Sequence, residues 1–167
     1  MTNLIEISSC EASSASLDIA LNVKCALCTK PCLSRDVGKK LRESGLRPTR
    51  QRVELAKLMF GVGDRHLTAD MLYEEAVRER MPISLATVYN TLQQFTNAGL
   101  IRRLATDTSK AWFDTNVSEH HHLLIEEDDC IVDIPSGYLS IDRLPPVPEG
   151  MEIARVEVVV RLKRRGT

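Results

Sequence analysis

The sequence predicts an α+β protein, with an N-terminal winged helix-turn-helix followed by a small α/β domain. Three patterns predict it. Helical periodicity is confined to 35–98, two short strand patterns follow at once, and the last fifty residues alternate as β-strands do. We therefore divide the 167 residues into a flexible tail containing Ser and Cys at 1–34, a winged-helix domain at 35–115 and a second domain at 116–167.

Four helices are predicted between 35 and 98. Each follows a residue that can cap a helix N-terminus, and these residues are Ser34, Thr49, Thr68 and Ser84. Apolar side chains follow each cap at spacings of three and four, as on one face of a helix. The predicted stops are Gly45, Gly61, the residue pair Met81-Pro82, and Gly99.

The period changes after Gly99. Residues 100–104 and 110–114 read as two strands joined by a turn, which is the wing of a winged helix. Two further strands, 122–125 and 130–134, flank an acidic turn, and 155–162 reads as a last strand after the Pro-rich segment 144–150. About fifty residues with three strands bury little apolar surface alone. We therefore expect this second domain to form a homodimer.

Charge is unevenly distributed along the chain. Residues 35–113 carry 14 basic and nine acidic groups, whereas residues 114–167 carry six basic and 11 acidic groups. Nine of the basic groups fall within 35–65, which favours a surface for a polyanion such as nucleic acid. No apolar run approaches the ~20 residues that span a bilayer, and the N-terminus lacks a secretory pattern. We expect a cytoplasmic protein that is neither a membrane protein nor an exported disulfide scaffold.

The fourth predicted helix has the composition of a DNA-reading helix. Residues 84–98 contain no charged side chain, so nothing on this helix repels phosphates. Hydroxyl, amide and aromatic groups that can contact base edges lie near its N-terminal end, namely Ser84, Thr87, Tyr89 and Asn90. Three basic residues at the start of the second helix are expected to bind the phosphate backbone of double-stranded DNA: Arg47, Arg50 and Arg52. A neutral helix packed in a bundle is the alternative.

The histidines indicate a metal site. Three of the four are consecutive, His120, His121 and His122, and on a strand the first and third share a face. His120 and His122, together with His66 and Asp114, provide three imidazoles and a carboxylate. This set suits zinc, ferrous iron or manganese. An ion held by His66, Asp114, His120 and His122 would fix the angle between the two domains. A single haem-ligating His and an exposed polar strand end are the alternatives.

The predicted tail contains a cluster of cysteines near its end. Cys25 and Cys28 have the CxxC spacing of zinc or redox sites, with Cys32 as a third candidate. A matching second pair is missing, because Cys130 stands alone. A zinc or haem role for this cluster and incidental reduced thiols both remain open.

Five segments together resemble the ferric uptake regulator superfamily. They are 45–52 (GLRPTRQR), 66–73 (HLTADMLY), 84–92 (SLATVYNTL), 113–116 (FDTN) with the triple His, and 148–154 (PEGMEIA). In detail they are similar to its iron response regulator branch of rhizobia and related α-proteobacteria. The resemblance covers about residues 36–165.

The resemblance implies a homodimeric transcriptional regulator, with DNA binding at 35–115 and dimerisation and sensing at 116–167. It implies an inter-domain metal site on His66, Asp114, His120 and His122, and a base contact by Tyr89. The branch implies haem sensing through His120, His121 and His122 and control of haem-synthesis and iron-handling genes, mostly by repression when iron is scarce. The superfamily's C-terminal CxxC pairs and the distal His of its second regulatory site are absent here.

Two other functions remain open. One is a zinc- or peroxide-sensing regulator of the same superfamily. The other is a small metal-dependent hydrolase that uses the His cluster, but the sequence shows no nucleophile or paired carboxylates beside it. We therefore predict that the chain is not an enzyme.

Overall fold

The computed structural model describes residues 36–106, 109–135 and 137–163. Two compact units divide these residues after Ser118. The mixture of four helices and two small sheets confirms the predicted α+β class. The tail at 1–34, with Cys25, Cys28 and Cys32, lies outside the described residues, so its predictions stay predictions.

The first unit contains the four predicted helices: α1 Val37–Glu43, α2 Arg50–Phe60, α3 Ala69–Arg78 and α4 Leu85–Asn97. Thr49, Thr68 and Ser84 cap the last three, as predicted. The prediction for α1 was wrong, because Asp36 and not Ser34 caps it. The Asp36 carboxylate accepts a hydrogen bond from the Lys39 N–H, and Asp immediately before the first turn is among the preferred capping residues.

Helix ends follow local backbone chemistry. Gly99 has a φ of 68° and follows α4, where a left-handed residue is favoured and glycine adopts it without strain. Helix α3 ends at Arg78, before the predicted stop at Met81-Pro82. Arg80 takes a φ of 55°, so the chain already leaves the helical region before Pro82.

The apolar faces of these helices meet in one core. The largest side chains with no exposed surface include Leu55, Met59, Leu72, Leu92 and Phe95. Helix α4 therefore packs against α3 and contributes one side to this core, which leaves its other side for a different role.

A three-stranded antiparallel sheet completes the first unit, with order β1-β3-β2. Its strands are β1 His66–Thr68, β2 Arg102–Arg103 and β3 Trp112–Asp114. The sequence predicted β2 and β3 as longer strands and did not predict β1. Three residues are too few to show a period of two, and the last of them, Thr68, also caps α3.

The second unit contains a separate three-stranded sheet. Strand β4 His121–Ile125 lies at its centre, antiparallel to β5 Cys130–Ile134 and parallel to β6 Val159–Leu162. The predicted strand at 155–162 therefore begins only at Val159, and the Pro-rich segment 144–150 is irregular, as predicted. In the described ranges of both units, no helix is long and apolar enough to cross a membrane.

Candidate functional site

Helix α4 presents a polar face that carries no charge. Val88, Leu92 and Phe95 are fully buried on the opposite face, so the core fixes the rotation of the helix. Tyr89 is 45% exposed and Asn90 is exposed beside it. An exposed aromatic ring and an amide near a helix N-terminus can contact a base pair in a major groove.

Ser84 and Thr87 have a second role at this end of the helix. The Ser84 Oγ accepts a hydrogen bond from the Thr87 N–H at 3.2 Å, and the two hydroxyls lie 2.9 Å apart. Both predicted base-contacting hydroxyls are therefore engaged in capping α4. Their contribution to DNA contact stays a prediction.

The three predicted phosphate-binding arginines differ in their surroundings. Arg47 and Arg50 are exposed, and Arg50 Nε donates to Glu54 Oε1 at 2.9 Å, which raises the pKa of Arg50. Arg52 is half-buried. Its Nε donates to Gln94 Oε1 at 2.9 Å and its Nη1 donates to the Arg47 carbonyl at 2.8 Å. Arg52 therefore links α2 to α4, a connection that the sequence did not predict.

The first half of the predicted metal site lies in the three-stranded sheet of the first unit. His66 and Asp114 are directly opposed in the β1–β3 register, and His66 Nε2 lies 3.8 Å from Asp114 Oδ1. Asp114 is fully buried. Its Oδ2 lies 3.1 Å from Arg102 Nη2, and its Oδ1 accepts the Asn116 N–H at 2.7 Å.

The second half lies at the start of β4. The imidazole rings of His120 and His122 meet edge to face with centroids 4.6 Å apart, and His122 has no exposed surface. His121 points to the other side of the strand, where its Nδ1 accepts the Val158 N–H at 3.3 Å. His120 and His122 therefore lie on one side of the strand and His121 on the other, as the alternation of side chains along a strand predicted.

Asp133 joins this second half and was not predicted. Its Oδ1 lies 3.2 Å from His120 Nε2 and 3.8 Å from His122 Nε2, and the ligand atoms of all three residues lie within 4.8 Å of one another. A signal was present in the sequence. Pairing Ile125 with Cys130 across the acidic turn places His122 opposite Asp133, which the β4–β5 register shows.

One more carboxylate lies beside the triplet. Glu157 Oε1 is 3.6 Å from His122 Nδ1, so both nitrogens of this buried ring face acidic groups. Imidazole and carboxylate donors crowded together fit zinc, iron or manganese, which accept mixed nitrogen and oxygen ligands. The chemistry of the donor set thus agrees with the predicted class of metal.

A winged helix with a neutral exposed helix face, together with clustered His and Asp ligands, defines the class of metal-responsive DNA-binding proteins. The ferric uptake regulator family model matches residues 43–156, and the chain belongs to that family. Family members are metal-responsive transcriptional regulators, which bind DNA as dimers. They are not enzymes, so the prediction of a non-enzyme is confirmed.

Curated relatives include a regulator of iron uptake and a peroxide sensor. The chain is 39% identical over 85 residues to the ferric uptake regulation protein of Bordetella parapertussis, covering 51% of this chain and 61% of that protein. It is 34% identical over 105 residues to a peroxide-responsive repressor of Staphylococcus aureus, covering 62% of this chain and 70% of that protein.

Solved structures of the family share the fold. The ferric uptake regulator from Pseudomonas aeruginosa with manganese matches at a TM-score of 0.59 and 22% identity, covering 77% of this chain and 98% of that chain. The Vibrio cholerae ferric uptake regulator matches at a TM-score of 0.62 and 20% identity, covering 76% of this chain and 98% of that chain. Other solved family structures contain iron or zinc.

Proposed function

We propose that this chain is an iron- or haem-responsive transcriptional regulator that binds palindromic promoter DNA as a homodimer. The observation that carries the proposal is helix α4, whose core-facing side is fully buried while its uncharged side exposes Tyr89 and Asn90. Polar groups on this face can hydrogen-bond base edges, and the absence of negative charge avoids repulsion of the phosphates. The proposed setting is the cytoplasm.

Basic groups next to α4 support a phosphate contact. Arg47 and Arg50 are exposed at the start of α2, and Arg52 reaches from α2 to Gln94 on α4. A helix that contacts the DNA backbone while joined to a reading helix is the arrangement used by helix-turn-helix proteins. In this proposal Arg47 and Arg50 bind phosphates, whereas Arg52 mainly orients α4.

The metal site is proposed at His66, Asp114, His120 and His122, with Asp133 as an added ligand. Within the first unit His66 faces Asp114, and within the second His120 and His122 face Asp133. One divalent ion held by residues of both units would fix the angle between them. In a dimer that angle sets the spacing of the two reading helices, so metal occupancy and DNA affinity would be coupled.

A second copy of the chain is proposed to cover the apolar surface of the second unit. Exposed apolar side chains are concentrated in the segment between β5 and β6: Tyr138, Ile141, Leu144, Val147, Met151 and Ile153. A unit that leaves this much apolar surface in water is stabilised by association with a partner.

Haem sensing is a more specific proposal than metal-dependent regulation, and it follows from the resemblance to the iron response regulator branch. A cleft of about 570 Å³ in the second unit is lined by His120, His121 and apolar side chains that include Ile134, Ile141 and Leu144. Imidazoles that line a partly apolar cleft of this size could bind haem. In this proposal haem binding lowers occupancy of promoter DNA.

The reader role of α4 is tested by selecting bound sequences from genomic DNA with wild-type protein, Tyr89→Ala and Val77→Ala. Val77 is also exposed in the first unit but lies on α3, so its variant is the control. We expect wild type and Val77→Ala to enrich the same inverted repeat, and Tyr89→Ala to lose at least about tenfold in affinity for it. Equal losses on the selected sequence and on random DNA would contradict the reader role.

Haem binding is tested by the Soret spectrum on titration with haem. We expect a shifted band for wild type and for Asp133→Asn, and none after His120, His121 and His122 are replaced by Ala. If the triple variant shifted the Soret band as wild type does, the triplet would not bind haem, and the divalent metal would be left as its only proposed ligand.

A peroxide-responsive repressor is the second candidate, favoured by the similarity to the Staphylococcus aureus protein. Metal analysis of the purified chain and the identity of the promoters it binds separate the two candidates. Iron-handling and haem-synthesis promoters support the first, and promoters of peroxide-defence genes support the second.

A further inference from the structure

Three side chains form a buried row across the sheet of the first unit. Asp114 on β3 is the register partner of His66 on β1 and of Arg102 on β2, so all three project from the same face. Asp114 is fully buried and Arg102 is only 8% exposed. The row therefore ends in a buried guanidinium, whose role neither the sequence patterns nor the proposed ligand set explains.

Arg102 contacts both Asp114 and the chain segment that follows it. Its Nη2 donates to Asp114 Oδ2 at 3.1 Å, and its Nε donates to the Asn116 carbonyl at 3.0 Å. The Asn116 N–H donates in turn to Asp114 Oδ1 at 2.7 Å. The guanidinium and this short loop thus hold the carboxylate from two sides.

The two oxygens of the Asp114 carboxylate therefore have different surroundings. Oδ2 faces Arg102, while Oδ1 lies on the side of His66, 3.8 Å from its Nε2. A carboxylate that binds an ion through one oxygen is commonly oriented by a hydrogen bond to the other. Arginine suits this task because its planar donors can bind a carboxylate and a carbonyl at once.

We propose that Arg102 is the positioning residue of the metal site, which holds Asp114 with Oδ1 on the side of His66. This inference rests on the proposed function, because it takes His66 and Asp114 as ligands. Stability alone is a weak reason for a buried ion pair, since desolvation of the two charges offsets most of their attraction. Orientation of a ligand gives the pair a function.

The test measures Zn²⁺ affinity of the full-length dimer by competition with a fluorescent chelator. The variants are Arg102→Met, Arg102→Lys and, as matched control, Arg103→Met, which removes the exposed arginine next along β2. We expect Arg102→Met to bind Zn²⁺ about 10- to 100-fold more weakly, and Arg103→Met to match wild type. Arg102→Lys keeps the positive charge but lacks the planar guanidinium, so this variant should also bind Zn²⁺ more weakly. It replaces Arg102→Met in the test if Arg102→Met does not fold.

A double-mutant comparison separates positioning from a general loss of structure. In an Asp114→Asn background, Arg102→Met should cause no further loss of Zn²⁺ affinity, because the carboxylate that Arg102 orients is already gone. The thermal midpoint of the metal-free protein gives an independent reading. Arg102→Met should lower it by at least about 6 °C, and adding Asp114→Asn should restore part of the loss by removing the uncompensated buried charge.

Three results would overturn the inference. Tighter Zn²⁺ binding by Arg102→Met would show that the guanidinium competes with the ion for Asp114. The same loss in the Asp114→Asn background, or an affinity equal to that of Arg103→Met, would leave Arg102 with a structural role. Failure of the proposed metal site itself is distinguishable, because wild-type Zn²⁺ affinity would then be unchanged by His122→Ala.

Discussion

The hydroxyl of Ser84 contributes both to the fold and to the proposed DNA interface. It accepts the Thr87 N–H and lies within hydrogen-bond distance of the Thr87 hydroxyl. A change at this position therefore alters helix stability before it alters any contact with DNA. The two effects are separable because other residues cap helices equally well.

We expect Ser84→Ala to lower the free energy of unfolding by about 1 kcal/mol, because the first turn of α4 loses its side-chain acceptor. Ser84→Asn should retain the wild-type stability, since Asn is among the best capping residues. Urea denaturation of the three proteins measures both values. Equal stabilities for Ser84→Ala and Ser84→Asn would show that the cap contributes nothing.

Single residues were predictable where one local rule decides. Thr49, Thr68 and Ser84 were predicted as caps because each precedes an apolar helical pattern. Asp36 was missed since the first helix has only seven residues and a weak pattern. Asp133 needed the strand register, which follows from the length of the acidic turn and was available in the sequence.

At the scale of elements, Arg52 is the side chain that joins α2 to α4. It donates to Gln94 on α4 and to the Arg47 carbonyl before α2. Arg50, two residues earlier, pairs with Glu54 one turn along the same helix. These two arginines share a helix and a charge, so they form a matched pair for mutation.

Arg52→Lys should lower stability by about 1 kcal/mol and weaken binding to the selected DNA, because lysine cannot make both hydrogen bonds. Arg50→Lys should leave stability near that of wild type, since its ion pair is exposed. Both variants keep their charge, so the dependence of DNA affinity on salt should be unchanged. If Arg50→Lys impaired stability as much as Arg52→Lys, the proposed link between helices would be wrong.

Strands were less predictable than helices. The four helices carry apolar residues at repeated spacings, but β1 has only three residues and β2 only two, and so few residues show no period. Strand β1 forms because β3 provides a partner far along the chain, which a local pattern cannot reveal. That same pairing places His66 opposite Asp114, so the element that was missed is the one that assembles half of the candidate site.

For the whole molecule, we propose that metal ligands from two units control one DNA-binding function. His66 and Asp114 were predicted as ligands together with His120 and His122, and the structure places each pair within its own unit. In the proposed function, one ion held by both pairs would couple metal binding to DNA binding. The coupling is reciprocal, so DNA must then raise metal affinity by the same factor as metal raises DNA affinity.

The most direct measurement is the affinity of the protein for its selected DNA with and without a divalent ion, in wild type, His122→Ala and His121→Ala. His121 lies on the opposite side of β4 from His122, so its variant controls for the loss of one imidazole. We predict at least about fivefold tighter DNA binding with metal in wild type and His121→Ala, and no change in His122→Ala. Equal DNA affinity of the metal-free and metal-loaded wild-type protein across salt concentrations would contradict it.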